Sequence, residues 1–225
     1  MAKLDARKRY TQMILKQSFL KLLKEKPVNK ITVKELCELS QINRATFYTH
    51  YSDCFALLES IENELIDEFE KSLRYVNSFD VAALIEALYA MVDQNQEACR
   101  TLILGNTSSA VIAKMIALAK PGSLAYWHRE LPKASETELE MMYTHLSNGV
   151  MHVIVEGYDK YSKEEMIRFV SQVAKVSLLL FRLKKACRKK ILKIASFWTR
   201  KRAQHQLSRH PPAMERLCLG LGGRN

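Results

Sequence analysis

Apolar residues recur at helical spacing along most of the chain. Ile14, Leu15, Phe19, Leu22 and Leu23, with Ser18 among them, fall on one stripe and predict a helix over 5–24 that Pro27 stops. A short helix follows from Thr32 to about residue 39. Thr32 and Glu35 have the capping-box spacing, and Val33, Leu36 and Cys37 face inward. After the tight connection Ser40-Gln41-Ile42, Asn43 caps a third helix running to about residue 51, anchored by Ile42, Phe47 and Tyr51. Ser52 and Asp53 cap a fourth. Leu58, Ile61, Leu65 and Phe69 carry its stripe, so the pattern predicts one helix over 53–73.

Farther on, Asp80 starts a helix over 81–92, and shorter segments are predicted over 96–104, 109–119 and 123–130. Pro121-Gly122 and Leu131-Pro132 punctuate them. Ser135 with Glu138, and Ser162 with Glu165, are capping boxes that open two long helices. The first carries Leu139, Met142, Leu146, Val150, Val153 and Ile154, and Gly157 ends it. The second carries Met166, Phe169, Val170, Val173, Val176 and Leu180. A short turn makes the two an antiparallel pair. Scarce Gly and Pro before residue 184 argue against a β-sandwich or barrel, which needs many tight turns. The fold expected is all-α.

Charge divides the chain into three. Residues 1–50 hold 11 Lys/Arg against 4 Asp/Glu, residues 51–183 hold 12 against 19, and residues 184–225 hold 12 against 1. The two basic ends predict an anionic partner. The tail has three open readings: a basic arm adding nonspecific DNA affinity, a solvated extension, or sequence foreign to the rest. The cysteines, Cys37, Cys54, Cys99, Cys187 and Cys218, are odd in number and include no C-x-x-C pair, which gives neither a disulfide framework nor a zinc site. Buried thiols in a reducing compartment are expected instead. No apolar stretch stands behind the N-terminal charges, so a secretory signal is not expected. The run 176–183 is too short to span a bilayer. The expected location is the cytoplasm.

Two short helices joined by a tight turn behind a longer helix form a helix-turn-helix, whose second helix enters the major groove. The outer face of that helix offers small and polar residues: Asn43, Arg44, Ala45, Thr46, Tyr48, Thr49 and His50. The run Ile31-Thr32-Val33-Lys34-Glu35-Leu36, followed by Ile42-Asn43-Arg44-Ala45-Thr46-Phe47-Tyr48-Thr49-His50-Tyr51, resembles the signature of TetR-type (TetR/AcrR) transcriptional regulators. The likeness covers roughly residues 8–66. A weaker one, over 148–166, joins the rest to about residue 183 to a C-terminal domain found on some of these regulators.

The resemblance implies an N-terminal three-helix DNA-binding domain over 1–52, linked by helix four to a helical ligand-binding and dimerisation domain over 53–183. A basic tail over 184–225 follows. It further implies a homodimer on double-stranded operator DNA, released as a repressor by a small-molecule effector, with no cofactor and no membrane. Carried onto this chain, Arg44 reads a base edge, Ala45 and Thr46 meet thymine methyls or phosphates, and Tyr48 and His50 contact the backbone. Thr32 holds a phosphate at a helix N-terminus. Two departures stand out: Ser40 and Gln41 fill a turn where the family often has glycine, and Cys54 replaces a phosphate-gripping lysine.

Tyr89, Trp127, Tyr143, His145 and His152 are weak candidates for lining a ligand pocket, against plain core. Met142, Leu146, Val150, Val153, Val170 and Val173 are read as a dimer face, against monomer core. Catalysis finds little support: no G-x-S-x-G, Gly-rich phosphate loop or H-E-x-x-H is present, and the His145–His152 pair lacks partners for a metal. The competing class is a helical adaptor that has lost DNA binding, with an enzyme a distant third.

Overall fold

The computed structural model describes residues 2–104, 109–179 and 181, with side chains from residue 6 onward. Among them the chain is all-helical: α1 (Ala2–Glu25), α2 (Val33–Ser40), α3 (Arg44–Tyr48), α4 (Cys54–Glu70), α5 (Leu73–Ser78), α6 (Val81–Gln94), α7 (Gln96–Leu102), α8 (Ala110–Glu130), α9 (Glu136–Gly157) and α10 over 163–179. A single 3-10 turn, Val28–Lys30, follows Pro27. No helix among the described residues is long and apolar enough to cross a membrane. The basic tail over 184–225, with Cys187 and Cys218, lies outside the described residues.

The starts of the helices are set by local chemistry. Thr32, Asn43, Asp53, Asp80, Ser109 and Ser135 each accept a backbone N–H with the side chain, satisfying a donor the first turn leaves open. Two of the three predicted capping boxes close in full: Glu138 accepts from the Ser135 amide at 2.9 Å, and Glu165 from the Ser162 amide at 3.0 Å. Each such cap stabilises its helix by about 1 kcal/mol.

Residues up to Leu178 form one compact unit holding two apolar clusters. The first joins Leu15 and Phe19 of α1, Leu36 and Cys37 of α2, Phe47 of α3, and Leu57 and Ile61 of α4. The second joins Leu65 and Phe69 of α4 to Ile85, Leu88 and Met91 of α6, Val111 and Met115 of α8, Ile154 of α9, and Met166 and Val170 of α10. Helix α4 therefore belongs to both. Ala98 and Leu102 of α7 pack against both as well.

Two elements differ from the sequence expectation. The helix predicted over 53–73 stops at Glu70. Ser72 is buried, its hydroxyl donates to the Phe69 carbonyl at 2.6 Å, and a separate helix, α5, follows. α5 ends where Phe79 turns left-handed (φ 57°) and stacks on Tyr126 of α8 at 4.9 Å. The break expected at Pro121-Gly122 does not occur, because α8 runs through it. Proline removes only one N–H from the ladder, and α8 is held from outside by α5. A β-carbon at Gly122 would stand 1.9 Å from Asn77 Oδ1, so the glycine permits that close packing.

Candidate functional site

The helix-turn-helix is assembled from the predicted caps, with α3 ending at Tyr48 and not near residue 51. Thr32 Oγ1 accepts from the Glu35 amide at 3.2 Å, and Asn43 Oδ1 accepts from the Thr46 amide at 3.0 Å. Glu35 is gripped by Lys26 Nζ at 2.5 and 2.7 Å, which ties the end of α1 to α2 and holds the Glu35 carboxyl below its usual range. Phe47 is wholly buried and meets Tyr48 edge-on at 5.4 Å and Tyr51 at 6.0 Å. With Phe47 turned inward, Asn43, Arg44, Ala45, Tyr48 and Thr49 are left exposed, and Thr46 and His50 half-buried. Thr32 is also exposed. The structure thus brings all eight predicted DNA-contact residues onto α2, α3 and their flanks.

Sequence reasoning missed one neighbour. Lys8 of α1 acts on His50, and with burial as the larger cause it lowers the histidine's pKa. His50 Nδ1 is buried and has no hydrogen-bond partner among the described residues. No periodicity signals such a proximity, because Lys8 is on α1 and His50 is in the turn after α3.

A cavity of about 130 Å³ opens in the second cluster. Phe69 (α4), Val76 and Phe79 (α5), Leu84 (α6), Met115 (α8) and Val150 (α9) stand in its walls, with Trp127, Tyr143 and Ser147 among them. The Tyr143 phenol donates to the Ile116 carbonyl, and burial pushes its pKa up to about 12. Of the five candidate lining residues, Trp127 and Tyr143 are in the wall. Tyr89 instead packs on Tyr158 at 4.9 Å outside it, and His145 and His152 are exposed on α9. No sequence signal pointed to Val76 and Phe79, which fall between the helices predicted over 53–73 and 81–92.

Three of the six residues read as a dimer face belong to the protomer's own core. Met142, Leu146 and Val170 are buried inside the protomer, and Val150, Val153 and Val173 are half-buried. Leu146, Val150 and Val170 line the cavity. They face inward because the second cluster needs them as walls. The outward rows of the same helices hold Met141, His145, Gly149 and His152 on α9, and Phe169 and Val176 on α10.

No family model matches the chain. Over 75 residues it is 28% identical to the HTH-type transcriptional regulator YxbF of Bacillus subtilis (strain 168), a match covering 33% of this chain and 18% of that protein's length. Among solved structures, a TetR-family transcriptional regulator from Syntrophomonas wolfei aligns at 15% identity and a TM-score of 0.49, over 76% of this chain and 96% of its own. The TetR transcriptional regulator from Streptococcus agalactiae aligns at 18% identity and a TM-score of 0.53, over 77% of this chain and 98% of its own. The chain has the fold of the TetR-type regulators.

Within that fold the two departures acquire a structure. Gln41 takes the left-handed conformation (φ 55°, ψ 28°) that ends α2, where glycine would sit without strain. Its amide donates to the Glu38 carbonyl at 3.4 Å, and the Ile42 amide to the Cys37 carbonyl at 3.1 Å, so the turn closes without glycine. Cys54 is buried, and burial, with Asp53 next, pushes its thiol pKa up. A buried, protonated thiol packs and offers no charge to a phosphate. Cys37 and Cys99 are buried thiols too, and burial alone takes Cys99 to about 12.

Proposed function

We propose that the chain is a sequence-specific DNA-binding transcriptional regulator, working as a homodimer and as a repressor released by a small molecule. The observation that carries the reading is α3: Asn43 caps it, Phe47 pins it to the core, and Arg44, Ala45 and Tyr48 are exposed on its outer face, with exposed Thr49 at its end. Such a helix can enter the major groove without exposing apolar surface. Arg44, at its first turn, can bond a guanine edge in two places. The exposed Thr32 hydroxyl and the first amides of α2 suit a phosphate. On this reading residues 1–52 bind DNA, residues 53–183 sense the effector and dimerise, and the chain is no enzyme.

The cavity supports an effector site. The exposed apolar residues on α9 and α10 support pairing of two protomers, which would match a palindromic operator. Titrating the full chain against DNA from around its own gene, at physiological salt and with scrambled competitor, tests the reading. Specific binding at dimer stoichiometry is expected. Arg44→Ala should weaken it by about 1–3 kcal/mol and relax specificity at one base pair. Equal affinity for both DNAs would mean that charge alone drives binding, and the adaptor reading would replace this one.

A further inference from the structure

Helix α1 brings two cations to the edge of the helix-turn-helix. Its inward row holds Thr11, Leu15, Ser18, Phe19 and Leu22, all buried, and Leu15, Phe19 and Leu22 belong to the first apolar cluster with Phe47 and Tyr51. Arg7 stands four residues before Thr11 and Lys8 three, so both continue that row by one turn. Unlike the rest of the row they are exposed. They therefore overhang the edge of the first cluster, on the side of α1 that meets the helix-turn-helix. The charge of Lys8 is felt by His50, in the turn after α3. Among the described residues neither Arg7 nor Lys8 forms an ion pair. A cation held beside another basic group, without an acid to answer it, gains from an anion brought from outside.

The chain beyond the first turn of α3 supplies no such charge. After Arg44 the next lysine or arginine is Lys71. Cys54, at the first position of α4, is a buried thiol.

We propose that Arg7 and Lys8 grip phosphates of the DNA duplex that α3 enters, supplying from α1 the positive charge that residues 45–70 lack. The assignment rests on the DNA-binding reading above and adds α1 to a contact surface otherwise confined to α2, α3 and their flanks. The partner is the phosphate backbone and not a base edge. Contacts of that kind set position and affinity and carry no sequence information.

The test titrates the full-length protein with DNA from around its own gene and with scrambled DNA, over a salt series. The proteins compared are wild type, Lys8→Gln, Arg7→Gln, Lys8→Arg and Lys21→Gln, with circular dichroism melting to confirm that each is folded. A two-fold dimer loses two phosphate contacts per substitution, so the slope of log affinity against log salt should flatten by about 1.8 in Lys8→Gln and in Arg7→Gln. Near physiological salt, about 0.15 M, that corresponds to a loss of roughly 30-fold. The loss should be equal on both DNAs. Lys8→Arg keeps the charge and should stay within about three-fold of wild type. Lys21 is exposed but about 20 Å farther along α1, and Lys21→Gln should leave the slope unchanged.

An unchanged slope in either glutamine variant, or a slope that Lys21→Gln lowers equally, would overturn the assignment, as would a loss confined to one DNA. Slopes that flatten as stated in a protein with no preference between the two DNAs would uphold the phosphate grip and refute specific recognition. A wild type that binds neither DNA would overturn both.

Discussion

Charging the outer row of α10 should separate the protomers without unfolding them. Phe169 is 52% exposed in the single chain. A phenylalanine presents roughly 150–250 Å², so about 100 Å² of it is left open to solvent. Covering that area at about 25 cal/mol per Å² contributes about 2.5 kcal/mol. A two-fold axis supplies the contact twice, giving about 5 kcal/mol as an upper bound. Phe169→Glu removes up to this much and adds two carboxylates to the same face, so the dimer dissociation constant should rise by up to about 1000-fold. Val176, 51% exposed, is on the same row, and Val176→Glu should act in the same direction. Neither substitution touches the buried clusters, so the melting temperature of the diluted protomer should hardly move. Met142→Ala is the contrast: it is buried, and it should cost about 2–5 kcal/mol of protomer stability. Sedimentation velocity across a dilution series reads the oligomer, and circular dichroism reads the fold. A Phe169→Glu protein that stays dimeric at sub-micromolar concentration would refute this placement of the interface.

Two further predictions concern the helix-turn-helix. Gln41→Gly relieves a left-handed strain of about 1–2 kcal/mol and adds back about 0.5–1 kcal/mol of unfolded-chain entropy. It should therefore stabilise by about 0.5–1 kcal/mol in urea titrations, and a loss of stability would show that the Gln41 side chain contributes to the turn. His50 has a lowered pKa, so the unfolded chain binds its proton more readily than the folded one. Its contribution is fully present above the unfolded value near 6.5 and is lost as pH falls through that value toward the lower folded one. His50→Asn should flatten that part of the stability profile between about pH 7 and 5, and an unchanged slope would assign the acid sensitivity elsewhere.

The parts of the molecule legible in the sequence are those fixed by short-range chemistry. Asn43, Asp53, Asp80, Ser135 and Ser162 each announce a helix start, because cap and partner lie three residues apart. The helix-turn-helix was readable for the same reason: its caps, its turn and its anchor Phe47 span only 32–51. What escaped depends on contacts between distant segments. Ser72 ends α4 through a local hydrogen bond, but apolar residues continue on both sides and the stripe looks unbroken. Pro121 is tolerated because Asn77, 44 positions earlier, packs where Gly122 leaves room. Met142, Leu146 and Val170 were read as a dimer face, and not as core, because α9 and α10 are apolar on two adjoining rows. Phe169 and Val170 are neighbours in sequence, yet one is 52% exposed and the other 2%. Periodicity reports that a stripe exists; it does not say which edge meets the protomer's own core.

Control by a ligand, on the proposed reading, sets a requirement on this arrangement. Releasing DNA about 100-fold needs an effector that prefers the DNA-free state by about 2.7 kcal/mol. A molecule that merely fits a cavity present in both states binds both equally and shifts nothing. The walls must therefore differ between states. Helix α4 is the element in a position to report that difference: Phe69 stands in the cavity wall, while Leu57 and Ile61, on the same 17-residue helix, pack under α2 and α3. At 1.5 Å per residue, α4 is about 25 Å long, so a small tilt at one end becomes a displacement of the recognition helix at the other. The break at Ser72 separates α4 from α5, which carries Val76 of the wall and is followed by Phe79. An occupant that spreads α5 from α4 would be absorbed at that break, whereas one that presses on Phe69 would be transmitted. The side of the cavity a ligand loads therefore decides whether binding releases DNA or only stabilises the fold.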